Sequence, residues 1–262
     1  MRLKKLTKNR EKGTKGYQRF LFRIFVVALI PVSLAGAIFL FLSLYLFLRG
    51  APFLRLREAT IEGNNRISKK EILAMTGLAE KPNILTLDIK KLNRNLGHHP
   101  WIEKSMIRRV FPDGIRIVIH ERVPVAIVHL EKLYYIDQNR VIFDEVRSGE
   151  KSAYPILTGI SSDEIEGDDR KLNLLLRAAL HLLEVSQGNA TLSYHSISQI
   201  HLDRAVGLLV YNTDKGTEFR LGFASFETKL ERLSKIWPLL RSMELTSIDC
   251  TIPGRIIVQK KR

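Results

Sequence analysis

The chain is short of cysteine, of acidic residues and of long apolar runs, and each shortage narrows what it can be. Cys250 is the single cysteine in 262 residues, which excludes an intrachain disulfide and any zinc cage built from thiolates. No G-x-S-x-G, P-loop or H-E-x-x-H occurs, so a serine hydrolase, a P-loop NTPase and a zincin protease all lose their signatures. The histidines do not repair this. His98 and His99 are adjacent and point to different faces with no third ligand in register, and His181 with Glu184 is one copy of a helical pair where a carboxylate-bundle metal site needs two. Asp163, Glu164, Glu166, Asp168 and Asp169 cluster between Ser161 and Asp169, but their spacing is not that of an EF-hand. The segment reads as a solvated loop ahead of a helix. No cofactor, metal or catalytic pair is expected, and an enzyme is disfavoured.

Acidic residues number 27 against 42 Lys and Arg, a formal charge of +15. Such an excess can signal nucleic-acid binding, so its distribution decides. Between Met1 and Arg23 there are nine Lys or Arg and one Glu, a local +8 and more than half of the total. That basic tail (1–23) runs straight into the one long apolar run, Ile24 to Leu48, closed by Arg49. At about 1.5 Å per residue it is long enough to cross a hydrocarbon core of about 30 Å. A cleavable signal peptide is the competing reading, but its apolar region is shorter and ends at a small-residue cleavage site. The flanking bases should stay in the cytoplasm, which sends everything from Gly50 to the opposite side.

From Glu58 to Val128 the pattern is that of a small β-α-α-β-β unit. Ala59 to Glu62 reads as a strand and Gly63-Asn64-Asn65 as a turn. Ser68 and Glu71 form a capping box with Ile67 and Ile72 at staple spacing, and Gly77 closes that helix. Asp88 caps a second helix, with Leu87 and Leu92 at staple spacing and Gly97 placed for a left-handed end. Trp101–Val110 and Ile115–Arg122 then flank a Phe111-Pro112-Asp113-Gly114 turn in which Gly114 can take positive φ. Ile115, Ile117 and Ile119 alternate with Arg116 and His120, so one face packs and the other stays wet.

Five phrases in this stretch resemble the POTRA domain of the bacterial FtsQ/DivIB cell-division family: Ile61-Glu62-Gly63-Asn64, Ile84-Leu85-Thr86-Leu87-Asp88, His99-Pro100-Trp101-Ile102, Arg108-Arg109-Val110-Phe111-Pro112-Asp113 and Glu121-Arg122-Val123-Pro124-Val125-Ala126. The resemblance continues through an Ile136-Asp137 to Val141-Ile142-Phe143 hairpin, Pro155-Ile156-Leu157-Thr158-Gly159, Leu221-Gly222, Leu230, Leu233, Trp237-Pro238 and Ile248-Asp249. By pattern alone, this second part is an α+β domain with a largely antiparallel sheet. An amphipathic helix from Arg170 to Ser186 buries Leu172, Leu175, Leu176, Ala179 and Leu183 and ends at Gly188. Strands follow over 197–202, 206–212 and 217–222. A helix from Ser225, kinked or shortened by Pro238, and strands over 246–250 and 255–259 complete it.

The expected layout is therefore a basic tail (1–23), a membrane helix (24–48), a POTRA domain (56–128) and an FtsQ-type β domain (129–262), α+β overall. What the resemblance implies is a non-enzymatic, single-pass scaffold of the bacterial inner membrane at the division septum. Its tail would be cytoplasmic and its outer domains periplasmic, bound to FtsB/FtsL-like bitopic partners. It also implies partner binding by strand addition to the terminal edge, which falls on Thr251, Ile252, Gly254, Arg255, Ile256, Ile257 and Val258. Family members commonly carry Asp-Leu-Arg and an aromatic where this chain has Asp249-Cys250-Thr251-Ile252, so an aromatic anchor of that edge is replaced here. The alternative is a POTRA-bearing chaperone or translocation component. Outer-membrane members of that class end in a barrel of short amphipathic strands, where this chain shows two amphipathic helices.

Overall fold

The protein is described by a computed structural model over residues 29–150, 153–167 and 169–261. The basic tail, the start of the apolar run and Asp168 lie outside the described residues. Helix α1, Leu29–Gly50, has a mean hydropathy of 2.2 with no buried residue along its most apolar stretch, and it is long and apolar enough to cross a membrane. The chain then divides into two compact units, one taking residues up to Leu96 with Ser105–Ile119, the other Gly97–Lys104 with His120 onward.

The first unit is built on a three-stranded sheet in the order β1-β3-β2, from β1 (Glu58–Glu62), β2 (Ile102–Val110) and β3 (Gly114–Glu121). Strand β1 runs parallel to β3 with Ile61 opposite Ile117. The alternation in β3 does what its pattern dictates: Ile115, Ile117 and Ile119 are buried while Arg116 and His120 are exposed. Helix α2 (Lys69–Thr76) starts where Ser68 Oγ accepts the Glu71 N–H at 3.2 Å and stops at Gly77, φ +67°. Helix α3 (Ile89–Gly97) starts with Asp88 Oδ1 accepting the Lys91 N–H at 3.1 Å and buries Leu92 and Leu96.

Two glycine expectations are corrected. Gly97 is the last helical residue rather than a left-handed cap, and Gly114 does not adopt positive φ. What Gly114 supplies is room, since a Cβ there would stand 3.0 Å from the Val110 carbonyl oxygen. Gly63 has both demands at once, with φ +80° and a would-be Cβ 2.1 Å from the Ile119 carbonyl oxygen.

The second unit is a nine-stranded sheet ordered β12-β11-β10-β9-β8-β7-β4-β5-β6. Its strands are β4 (Pro124–His129), β5 (Leu133–Asp137), β6 (Ile142–Glu145), β7 (Ile156–Thr158), β8 (Ile197–Asp203), β9 (Gly207–Asn212), β10 (Glu218–Gly222), β11 (Leu245–Asp249) and β12 (Ile257–Lys260). The pairs β4–β7, β7–β8 and β10–β11 are parallel and the other neighbours antiparallel. Parallel neighbours need a crossover. Helices α4 (Ser162–Glu166) and α5 (Arg170–Ser186) supply it between β7 and β8, and α6 (Phe226–Leu240) between β10 and β11.

Leu172, Leu175, Leu176, Ala179, Leu182 and Leu183 of α5 join Phe226, Leu230 and Leu233 of α6 in one core with Ile200, Val210, Phe219 and Ile248 of the sheet. Helix α5 ends at Ser186, ahead of Gly188. Pro238 is accommodated inside α6, which continues to Leu240.

The acidic segment is not a bare loop. Ser161 and Glu164 form a capping box on α4, and Asp169 caps α5 by accepting the Leu172 N–H at 2.9 Å. Arg204 bridges Glu164 and Asp169, the latter at 3.1 Å. The Leu172 N–H, with Arg204 adding to it, holds the Asp169 carboxyl below the usual carboxylate range against the opposing effect of desolvation.

Candidate functional site

A sheet that is not closed leaves border strands whose outer N–H and C=O groups have no partner strand. Among the described residues of the second unit those borders are β12 and β6. Strand β12 exists because β11 gives it a template: Asp249 lies opposite Ile257, Ile248 opposite Val258, Ser247 opposite Gln259 and Leu245 opposite Lys260, with an irregularity between the last two. Beyond the strand, the Lys261 N–H donates to the Glu244 carbonyl at 3.0 Å.

The segment between the strands is an ordered reversal. The Cys250 N–H donates to the Arg220 carbonyl at 2.9 Å, which extends the tie between β10 and the chain leaving β11. Asp249 Oδ1 then accepts the Thr251 N–H at 2.8 Å and its hydroxyl at 2.6 Å, an Asx turn. The Arg255 N–H donates to Ile252 O at 3.2 Å, and Gly254 takes φ +78°.

Of the seven residues read as the binding strand, Ile257 and Val258 lie in β12. Thr251, Ile252, Gly254, Arg255 and Ile256 lie in the reversal that precedes it. The expected strand over 255–259 is thus shifted to Ile257–Lys260, and the strand expected over 246–250 is Leu245–Asp249. The strand also takes in Gln259, which lies inside the expected 255–259, and Lys260, one residue beyond it; neither is among the seven. The signal available was the turn itself, since Gly254 at positive φ delays the start of a regular strand.

The side chains divide by face. Val258 and Ile256 pack partly on the core, whereas Ile257 is 51% exposed and Ile252 44% exposed. Arg255, Lys260 and Lys261 are exposed, so the border is basic. Beside the reversal lies an open cleft of about 670 Å³ lined by Val206, Phe223, Lys229, Arg232 and Ile252 among others. Lys229 Nζ donates to Leu221 O at 2.6 Å and Ala224 O at 2.7 Å, and burial lowers its pKa. Cys250 is buried next to it, and desolvation pushes its thiol up to about 11. A thiol held neutral in this way is a poor nucleophile.

A polar strip supports β11 from the neighbouring strands. Glu218 accepts Tyr211 OH at 2.8 Å on one carboxylate oxygen and Arg220 Nε–H at 2.7 Å on the other, across a register that sets Glu218 opposite Ser247 and Arg220 opposite Asp249. Burial works to raise the Glu218 pKa, but the hydrogen bonds from Arg220 and Tyr211 outweigh it and the net shift is downward. Nothing in this arrangement pairs a nucleophile with a base. It presents backbone, two exposed isoleucines and positive charge, which suits capture of an extended peptide.

The comparisons with known proteins fall on both units. The family described as POTRA domain, FtsQ-type, matches residues 54–122, and that described as cell division protein FtsQ/DivIB, C-terminal, matches residues 126–250. The chain is 30% identical over 236 residues to a cell division protein FtsQ of Syntrophotalea carbinolica, covering 89% of this chain and 83% of that one. It is 30% identical over 220 residues to its counterpart in a Geobacter species (83% and 80% covered) and 33% identical over 186 residues to that of an Anaeromyxobacter species (71% and 63%). The small three-stranded unit and the mixed nine-stranded sheet thus fall on the two matched family regions in turn, and the chain belongs to the FtsQ/DivIB family of cell division proteins.

Proposed function

We propose that the protein is a non-enzymatic bitopic scaffold of the division machinery. Its tail stays in the cytoplasm, α1 crosses the inner membrane once, and the POTRA domain (56–128) and the β domain (129–262) stand in the periplasm at the septum. There it binds FtsB/FtsL-like bitopic partners and links early cytoplasmic to late periplasmic division proteins. The observation that carries this reading is β12: a border strand with one neighbour, flanked by exposed Ile252 and Ile257 and by Arg255, Lys260 and Lys261. A partner segment adding as a further strand would gain a ladder of main-chain hydrogen bonds from it, and acidic side chains on that segment would meet the basic border. The relatives' names support the setting, since each is called a cell division protein.

The test follows from strand geometry. Successive N–H groups in a strand point to opposite sides, so of Val258 and Gln259 one donates to β11 and the other outward. Proline is introduced at each in turn, together with Ile257→Asp, and co-purification of the FtsB-like partner is measured. One proline variant and Ile257→Asp should lose the partner by at least about tenfold while circular dichroism is unchanged, because they remove an outward donor and an apolar contact. Undiminished capture by all three variants would sink the assignment to β12.

A further inference from the structure

We infer that the surface of the first unit around the exit of α1 seats on the outer leaflet of the membrane and contacts anionic lipid headgroups. The inference rests on the reading that α1 spans. The apolar run ends at Arg49, and α1 ends one residue later. Two of its last carbonyls are capped by the unit. Asn83 Nδ2 donates to Leu48 O at 3.0 Å and to Arg49 O at 2.7 Å, while Asn83 Oδ1 accepts the Leu85 N–H at 2.9 Å.

The same neighbourhood is laced to the chain leaving the helix. Ile84 N–H donates to Leu54 O and Leu56 N–H to Pro82 O, both at 2.9 Å, and Arg55 and Asn83 form a bridge. Ala51, Leu54, Leu56 and Ile84 are buried beneath it. A membrane helix joined by a flexible linker would leave the unit free to stand off. Here the helix end is capped by the unit itself, so residues near Asn83 are held at the depth at which the helix leaves the hydrocarbon.

Those residues have the composition of an interface. Phe53 is 49% exposed and Leu85 37% exposed, and each lies within a few residues of the capped end. Arg49, Arg55 and Lys81 are exposed around them, against the carboxylate of Glu80. Arg57 is a few residues farther and faces Asp113 at 3.6 Å. Two or three extended residues reach about 7–10 Å, and the headgroup layer is about 5–7 Å deep on each side of the core. The cations therefore reach phosphates and the two apolar side chains reach the acyl boundary, the division of labour of an interfacial anchor.

The experiment uses the full chain in nanodiscs, with Cys250→Ala and one spin label at a time on Phe39→Cys, Phe53→Cys or Asp214→Cys. Collision with oxygen, which partitions into lipid, is compared with collision with a nickel chelate, which stays in water. Position 39 should favour oxygen strongly, Asp214→Cys should read as aqueous, and position 53 should fall between them. In parallel, association with spin-labelled phosphatidylglycerol relative to phosphatidylcholine is compared between the parent chain and Arg55→Glu/Lys81→Glu. Selectivity should drop by about fivefold or more for each charge. An aqueous reading at 53 with a lipid reading at 39 overturns the seat and leaves the span intact. An aqueous reading at 39 overturns the span and the seat with it. Unchanged selectivity in the double variant overturns the headgroup contact.

Discussion

Removing the Arg122 guanidinium while Asp137 remains isolates what a buried carboxylate costs in the second unit. Asp137 is 3% exposed. One of its oxygens accepts Arg122 Nη1 at 2.6 Å, and the other accepts the N–H groups of Asn139 at 2.8 Å and Val141 at 2.9 Å, which closes the β5–β6 turn. Arg122 has further company, since its Nε donates to Pro100 O at 3.1 Å and its guanidinium lies 5.9 Å from the centre of the Phe143 ring.

Arg122→Ala thus leaves a buried carboxylate oxygen without its cationic partner, at about 3–5 kcal/mol. Asp137→Asn keeps an oxygen for the two N–H groups, and Arg122, whose side chain is 18% exposed, can still reach solvent; its cost is about 1–2 kcal/mol. For a unit of this size about 2–4 °C of melting temperature accompanies each kcal/mol, so Arg122→Ala lowers the transition by about 6–20 °C. The distinguishing variant is Arg122→Ala/Asp137→Asn, which should be more stable than Arg122→Ala alone. Trp101 is the reporter, because its indole donates to Asp144 at 2.5 Å and stands edge-on to Tyr135 and Phe143 at 5.3 and 5.0 Å. Thermal unfolding followed by its emission refutes the reasoning if the double variant is less stable than Arg122→Ala, or if Arg122→Ala shifts the transition by less than about 2 °C.

Two more outcomes can be measured directly. The Glu218 pKa is lowered in the fold, so its stabilising contribution is present above the unfolded value near 4.5 and is lost as pH falls through the folded value. Acid unfolding of the parent chain should therefore show a drop below about pH 4.5 that is smaller in Glu218→Gln, and equal slopes in the two would count against the Arg220 and Tyr211 contacts as its cause. Gly63→Ala should destabilise the first unit by about 3 kcal/mol or more, since the substitution adds a left-handed φ penalty to a backbone clash. A urea midpoint unchanged by that substitution would contradict the close approach of Gly63 to Ile119.

What could be read beforehand was local. Ser68 and Glu71 stand three residues apart, Ile115, Ile117 and Ile119 two apart, and the leucines of α5 three or four apart, so a few neighbouring side chains decide each outcome. The order of the nine-stranded sheet could not be read this way. Ile127 pairs with Ile156, and Leu157 with Ile200, across a hairpin in one case and two helices in the other, and periodicity carries no information about which apolar strand lies next to which. The candidate edge was half legible for the same reason. Alternating apolar residues marked an extended segment after Asp249, but where it re-enters the sheet depends on the Asx turn at Thr251 and on Gly254, which set the register at Ile257. Asn83 was not legible at all. Its partners are 34 and 35 residues away, and an asparagine after Pro82 reads as an ordinary turn residue.

Because β12 is four residues long and has a single neighbour, it is the part of the sheet that frays first, and its amides exchange with solvent sooner than those of β9 or β10. A second neighbour would lock both sides of it. If a partner strand adds there as proposed, deuterium uptake over Ile257–Lys260 would serve as an occupancy gauge, slow with the border taken and fast with it vacant.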